Sequence, residues 1–204
     1  MLKKLMELRM ETVAVLILLV VLSAVSYVFM KKGKLKFETR AVVYAGITIS
    51  LAFVLSSVRI FRMPQGGSIT PASMLPLFVF SIIFGPLPGF IAGAVYGFLQ
   101  LIQEAFVVHW AQLLLDYPFA FASVGFAGLF GRHRVEGITI GMITRTVFHV
   151  ISGVVFFSEY APEGQNVLIY SIAYNGSFMA VETVITILLS IPVIAALKRS
   201  GRLS

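Results

Sequence analysis

Long apolar runs alternate with short polar joints along this chain, and the runs are longer than a half-buried soluble helix needs. Residues 12–30 (TVAVLILLVVLSAVSYVFM) carry no charge and are long enough to cross a bilayer as a helix. Further runs follow at about 41–57, 69–84, 88–104, 111–130, 137–157 and 167–197. The pattern predicts an all-α integral membrane protein. Residues 37–204 would form a six-helix bundle, and residues 1–36 one extra N-terminal transmembrane or anchor helix. KKGKLK follows the first run where a cleaved leader would have small residues, so that helix is expected to be retained.

The joints carry their own signals. FGPLPG (84–89) packs two prolines and two glycines into a sharp turn between spans. MPQGGS (63–68) cannot be helical throughout, because Pro64 and the Gly66-Gly67 pair break the pattern. It reads either as a plain connector or as a lid over one mouth of the bundle.

Composition agrees with the pattern. Of 204 residues, 58% are hydrophobic and 12% charged, against about a quarter charged in soluble domains. The absence of cysteine excludes disulfides, thiolate metal sites and Cys nucleophiles. Three histidines without an HExxH pair do not suggest a metal site. The net charge of +7 lies in short clusters between apolar runs, which suits topology signals and lipid headgroups better than nucleic acid. With six spans after residue 40, three clusters share one side: Lys31 to Arg40, Arg132 with Arg134, and Lys198 to Arg202. The positive-inside rule makes that side, and the C-terminus, cytoplasmic. Glu159 and Glu163 then face outside, and so, against the rule, do Arg59 and Arg62.

Candidate chemistry lies in the polar residues set into these apolar spans. A charge at the bilayer centre costs roughly 2.5–3.5 kcal/mol on insertion scales, so Asp116, Glu182 and Arg145 need a partner or a cavity. Arg145 could pair with Glu182 or Asp116, which would make it structural. Glu104 stands at an outer helix end, where solvation would suffice. Asp116 reads as a cap, an ion-pair partner or a ligand group. Arg145, His149, Gly153 and Phe157 recur at i, i+4, i+8 and i+12 on one helical face. Tyr170, Tyr174 and Asn175 cluster in the next run. Ser152 lies three residues from His149, a weak basis for a hydrolase without a third partner. A carboxylate, an imidazole, an amide, phenols and rings suit a flat heteroaromatic cation, bound and not turned over. Separately, Ala41 and Ala45, and Gly46 and Ser50, place small residues at i, i+4, where another helix can approach closely.

MPQGGSIT, LLLDYPFAFASVGFAGLF, FHVISGVVFFSEYAPEGQ and IYSIAYNG together resemble the thiamine-specific substrate-binding subunit (S-component) of energy-coupling-factor (ECF) vitamin transporters, over residues 41–197. The resemblance implies high-affinity capture of thiamine from outside. Delivery inward would require a transmembrane coupling subunit and two ATPases. It implies a pocket of Asp116, Tyr117, His149, Gly153, Phe157, Tyr170 and Asn175, with an aromatic contribution from Tyr96. It also implies that Gly46 and Ser50 contact the coupling subunit. No cofactor, metal or enzymatic activity is expected, and no GxxxxGK[ST] run is present for ATP. The rival readings are a sister subunit for another vitamin or a thiamine precursor, a stand-alone secondary transporter, and an intramembrane enzyme.

Overall fold

The structure, a computed structural model, describes residues 38–203. The expected helix at 12–30 and the boundary at 36/37 lie outside the described residues. Six helices follow: α1 (Thr39–Ser57), α2 (Leu75–Phe84), α3 (Pro86–Gln103), α4 (Trp110–Leu129), α5 (Arg134–Phe156) and α6 (Val167–Arg199). Between α1 and α2 two short strands, β1 (Phe61–Arg62) and β2 (Ser68–Ile69), pair antiparallel with Phe61 opposite Ile69. The bundle therefore has a hairpin end and an opposite, arginine-rich end.

Four helices, α1, α4, α5 and α6, are long and apolar enough to cross a membrane. The expected span at 69–84 is a correction: its helix covers only Leu75–Phe84, 10 residues. At 1.5 Å per residue that is about 15 Å, half a bilayer core. The physical reason lies just upstream. Pro71 disfavours helix at Thr70, and Thr70 gives both its N–H and its hydroxyl to Glu182 instead of to a helical turn. What α2 lacks in length it returns in burial: Leu77 and Phe78 are wholly enclosed, at the centre of a cluster with Tyr96, Val124, Met142 and Met179.

The helices differ in what surrounds them. Of α4's apolar stretch 56% is buried, against 17% for α1 and 22% for α6, so α4 is the internal helix and the other two are peripheral. Val54 and Leu188 are 63% and 60% exposed. In water that exposure would be costly; against lipid it is what membrane insertion requires. Thr139, Thr144 and Thr146 on α5 and Thr183 on α6 bond back to carbonyls four residues earlier, so these polar positions need no outside partner.

The two sequence joints take different forms. Gly85 has φ of 94°, a left-handed region that glycine enters without strain, and Pro86 then starts α3 where no N–H is needed. In the other joint Gly66 and Gly67 have φ of 85° and 87°, and Met63 N–H closes the turn on the Gly67 carbonyl at 2.9 Å. MPQGGS is thus the tip of the hairpin.

Candidate functional site

The site begins with a proline. Pro118 has no N–H to donate within α4, and its ring crowds the preceding turn, so the helix widens to a π-turn over Leu115–Phe119. Gly97 of α3 allows close approach: a Cβ there would collide with the Tyr117 carbonyl. The widened turn carries Asp116 towards α5 and Tyr117 towards the loop between α3 and α4.

Asp116 is met by three side chains. Its Oδ1 lies 2.9 Å from His149 Nδ1, and its Oδ2 accepts from Gln112 Nε2 at 2.7 Å and from Ser152 Oγ at 2.6 Å. The carboxylate and the imidazole are 15% and 13% exposed, so the network is largely withdrawn from solvent. Placing the proton on Nδ1, towards the carboxylate, leaves Nε2 as an acceptor. That Nε2 is buried and has no partner among the described residues, in a side chain that lines a cavity. Buried polar atoms are normally paired, so an orphan facing a cavity marks where a ligand donor belongs.

The cavity, about 150 Å³, lies at the hairpin end. Asp116, Tyr117, His149, Gly153, Phe157, Tyr170 and Asn175 all line it. Asn175 spends its amide nitrogen on the Ser171 and His149 carbonyls, at 3.0 and 3.3 Å, which turns its oxygen into the free acceptor. Gly153 sits where α6 comes nearest: a Cβ would fall on Ser171 Oγ and within 3.2 Å of Asn175 Nδ2. Its role is therefore close helix approach as much as open space. Tyr117 donates to the Glu104 carbonyl at 3.2 Å and accepts from Phe106 N–H at 2.8 Å, fixing the loop between α3 and α4. Phe157 stacks on Phe106 with centroids 5.8 Å apart.

Tyr96 is placed elsewhere. It is fully buried in the core, its ring edge-on to Phe121 at 5.1 Å and its hydroxyl 3.4 Å from the Ala52 carbonyl. Phe121, not Tyr96, is the ring presented to the cavity. The small-residue face of α1 also divides. Ala41 is buried and Ala45 packs on the core, whereas Gly46 and Ser50 are exposed, with open space around Gly46.

Gln112, Phe106 and Phe178 escaped the sequence reading, and Tyr174 was read only as part of a polar cluster with Tyr170 and Asn175. Gln112, one helical turn before Asp116, was readable from its i, i+4 spacing. Phe106 had no signal, being one phenylalanine among eighteen. Tyr174 clasps the hairpin: its hydroxyl accepts from Gln65 N–H at 2.9 Å and donates to the Gly66 carbonyl at 3.1 Å. Phe178 lies against Gly67. Arg145 makes no ion pair among the described residues. Its guanidinium stacks over Phe121 at 4.3 Å and lines the cavity one turn below His149. Arg59 pairs with Glu104, and Arg62 is 3.8 Å from the same carboxylate, so the two arginines at the hairpin end share one acid.

A bundle of apolar helices whose buried polar network opens on an aromatic-walled cavity defines a helical membrane protein with a small-solute site. Residues 42–200 match the family described as thiamine transporter protein, and the chain belongs to that family. It is 39% identical over 134 residues to the thiamine transporter ThiT of Bacillus subtilis, covering 57% of this chain and 69% of that one. It is 36% identical over 134 residues to ThiT of Lacticaseibacillus paracasei, covering 56% and 67%. The solved structure of ThiT from Listeria monocytogenes is similar with a TM-score of 0.65 and 25% identity, over 78% of this chain and 93% of that one. These relatives are named as transporters, and the function of this chain is transport and not catalysis.

Proposed function

We propose that this chain is the thiamine-binding subunit of an ATP-driven vitamin uptake transporter. Residues 37–204 form the binding unit, the cavity faces outward and the C-terminus is cytoplasmic. The observation that carries the reading is the orphaned His149 Nε2, held by Asp116 and facing the cavity beside Asn175. Thiamine has an aminopyrimidine with hydrogen-bonding edges and a permanently cationic thiazolium. The charges in the cavity favour one orientation. Arg145 lies deep and repels the cation, while Glu104, Phe106 and Phe157 lie at the mouth. The pyrimidine therefore goes down to His149 and Asn175, and the thiazolium stays among the rings. A cavity of 150 Å³ buries about one ring. The hairpin tip, held by Tyr174, covers the remainder.

Family membership supports the ligand, and the relatives, all named thiamine transporters, point the same way. The chain contains no phosphate-binding GxxxxGK[ST] run, so ATP hydrolysis falls to separate ATPase subunits acting through a membrane coupling subunit. The exposed Gly46 and Ser50 on α1 offer that subunit a close-packing face.

Calorimetric titration of the purified protein with thiamine tests the ligand. One saturable site, not competed by riboflavin, is expected, and absence of binding would sink the assignment. Reconstituted uptake tests the coupling. Accumulation that proceeds without ATP and partner subunits would make the chain a secondary transporter instead.

A further inference from the structure

Three side chains that line the cavity carry a buried polar atom with no partner among the described residues: His149 Nε2, Arg145 Nε and Gln65 Oε1. The first anchors the proposed site, and the other two lie on either side of it. Arg145 stands on α5 one turn deeper than His149, whereas Gln65 belongs to the hairpin tip between β1 and β2.

The three atoms ask for different things. A guanidinium N–H can only donate, the imidazole Nε2 accepts once the proton sits on Nδ1, and an amide oxygen only accepts. From floor to tip the cavity therefore calls for an acceptor, a donor and a second donor. Thiamine carries those groups in that order. A pyrimidine ring nitrogen accepts, the exocyclic amine donates, and the two-carbon arm of the thiazolium ends in a hydroxyl.

Gln65 is held where it can meet that hydroxyl. Its N–H goes to the Tyr174 hydroxyl at 2.9 Å, and the same hydroxyl donates to the Gly66 carbonyl at 3.1 Å. On the other side Gly66 lies over Phe106, where a Cβ would sit 3.6 Å from the Phe106 Cβ. Phe106 in turn stacks on Phe157. Gln65 is thus fixed to α6 and to the α3–α4 loop, beside the ring pair that the proposed orientation gives to the thiazolium. None of these contacts uses its side chain. A buried carbonyl oxygen without a donor is costly, and the cavity is where its donor must come from.

We infer that Gln65 is a specificity-determining residue whose side-chain oxygen accepts a hydrogen bond from the terminal hydroxyl of bound thiamine. The inference rests on the proposed thiamine site and extends it to the hairpin. The tip then reads the end of the ligand as well as covering it, and a ligand without that donor leaves Gln65 Oε1 unmet.

The test is a double-mutant cycle between protein and ligand, read by calorimetric titration of the full chain. The ligands are thiamine and its analogue with an ethyl arm in place of the hydroxyethyl. Wild type should bind the analogue about fivefold to tenfold more weakly, the worth of one neutral hydrogen bond. Gln65→Met has similar length and no carbonyl; it should weaken thiamine by the same factor and bind the analogue as wild type does. Retained binding of the analogue shows that the variant is folded. Gln65→Glu keeps the acceptor and should bind thiamine at least as tightly as wild type. Tyr174→Phe loosens the tip without altering the Gln65 side chain and should weaken both ligands alike. Equal losses for the two ligands in Gln65→Met would reduce Gln65 to part of the cover and overturn the inference. A loss of thiamine affinity in Gln65→Glu as large as in Gln65→Met would also overturn it. Wild-type binding of both ligands without a difference would overturn this contact alone, whereas failure to bind either would overturn the thiamine assignment with it.

Discussion

Asp116 and Glu182 are both carboxylates inside an apolar bundle, and they do different work because different donors reach them. Asp116 is held by three side chains, Gln112, Ser152 and His149, and the last of these passes the consequence on to the cavity as an oriented Nε2. Glu182, 2% exposed, takes Thr70 N–H at 2.8 Å and Thr70 Oγ1 at 2.6 Å. It is tied to the backbone and the hydroxyl of one residue, outside the cavity, at the root of the hairpin. In the proposed reading one acid organises recognition, while the other organises the fold. At membrane depth neither residue type nor burial separates these roles; the identity of the donor does.

The comparison can be broken most sharply at Asp116. Asp116→Asn removes the charge that orders His149 and should cost about 3 kcal/mol, roughly a hundredfold in thiamine affinity, by calorimetry. The melting temperature should hardly move. A large fall in stability with affinity retained would reverse the assigned roles. Gly153→Ala comes next: its new methyl falls on Ser171 Oγ, so that hydroxyl must swing off the Val150 carbonyl or α5 and α6 must separate. We expect a loss of about 1–3 kcal/mol from overpacking, seen in both the melting temperature and the affinity.

Glu182→Gln should show the opposite signature to Asp116→Asn. The amide keeps one acceptor and loses the charge, so a destabilisation of about 1–2 kcal/mol is expected in thermal unfolding. Thiamine affinity should change by less than it does for Asp116→Asn. The smallest effect belongs to Tyr174→Phe, which frees the hairpin tip without touching the Asp116 network. About 1 kcal/mol, or fivefold, is expected, and stopped-flow measurements should place it in faster thiamine release. An unchanged release rate would deny the hairpin any covering role.

The legible and illegible parts of the site divide along one line. His149 and Gly153 were readable because a helix converts spacing into a shared face, and α5 is a regular helix throughout. Asp116 was readable as a charge out of place, yet not as the holder of His149. That bond joins residues 33 apart across two helices, and the π-turn re-aims the carboxylate. Tyr96 was expected in the pocket and lies behind Phe121, because position along α3 does not say which ring of two in contact is the nearer to the cavity. Arg145 could have paired with Glu182 or with Asp116, and Glu182 had no other partner in view. Each instead found a closer neighbour, Thr70 in one case and the Phe121 ring in the other.

What the sequence alone determined is the class of the molecule: an all-helical membrane protein with polar residues set where only a partner or a ligand can satisfy them. Runs of apolar residues have one solution in lipid, because a helix meets its own backbone hydrogen bonds. Only the tertiary structure decided that α2 is a half-length helix buried at the centre, that the hairpin is clasped by Tyr174, and that Arg202 comes to lie beside Arg132 and Arg134. Those outcomes depend on contacts between residues far apart in the chain, and local periodicity carries no information about which helix faces which.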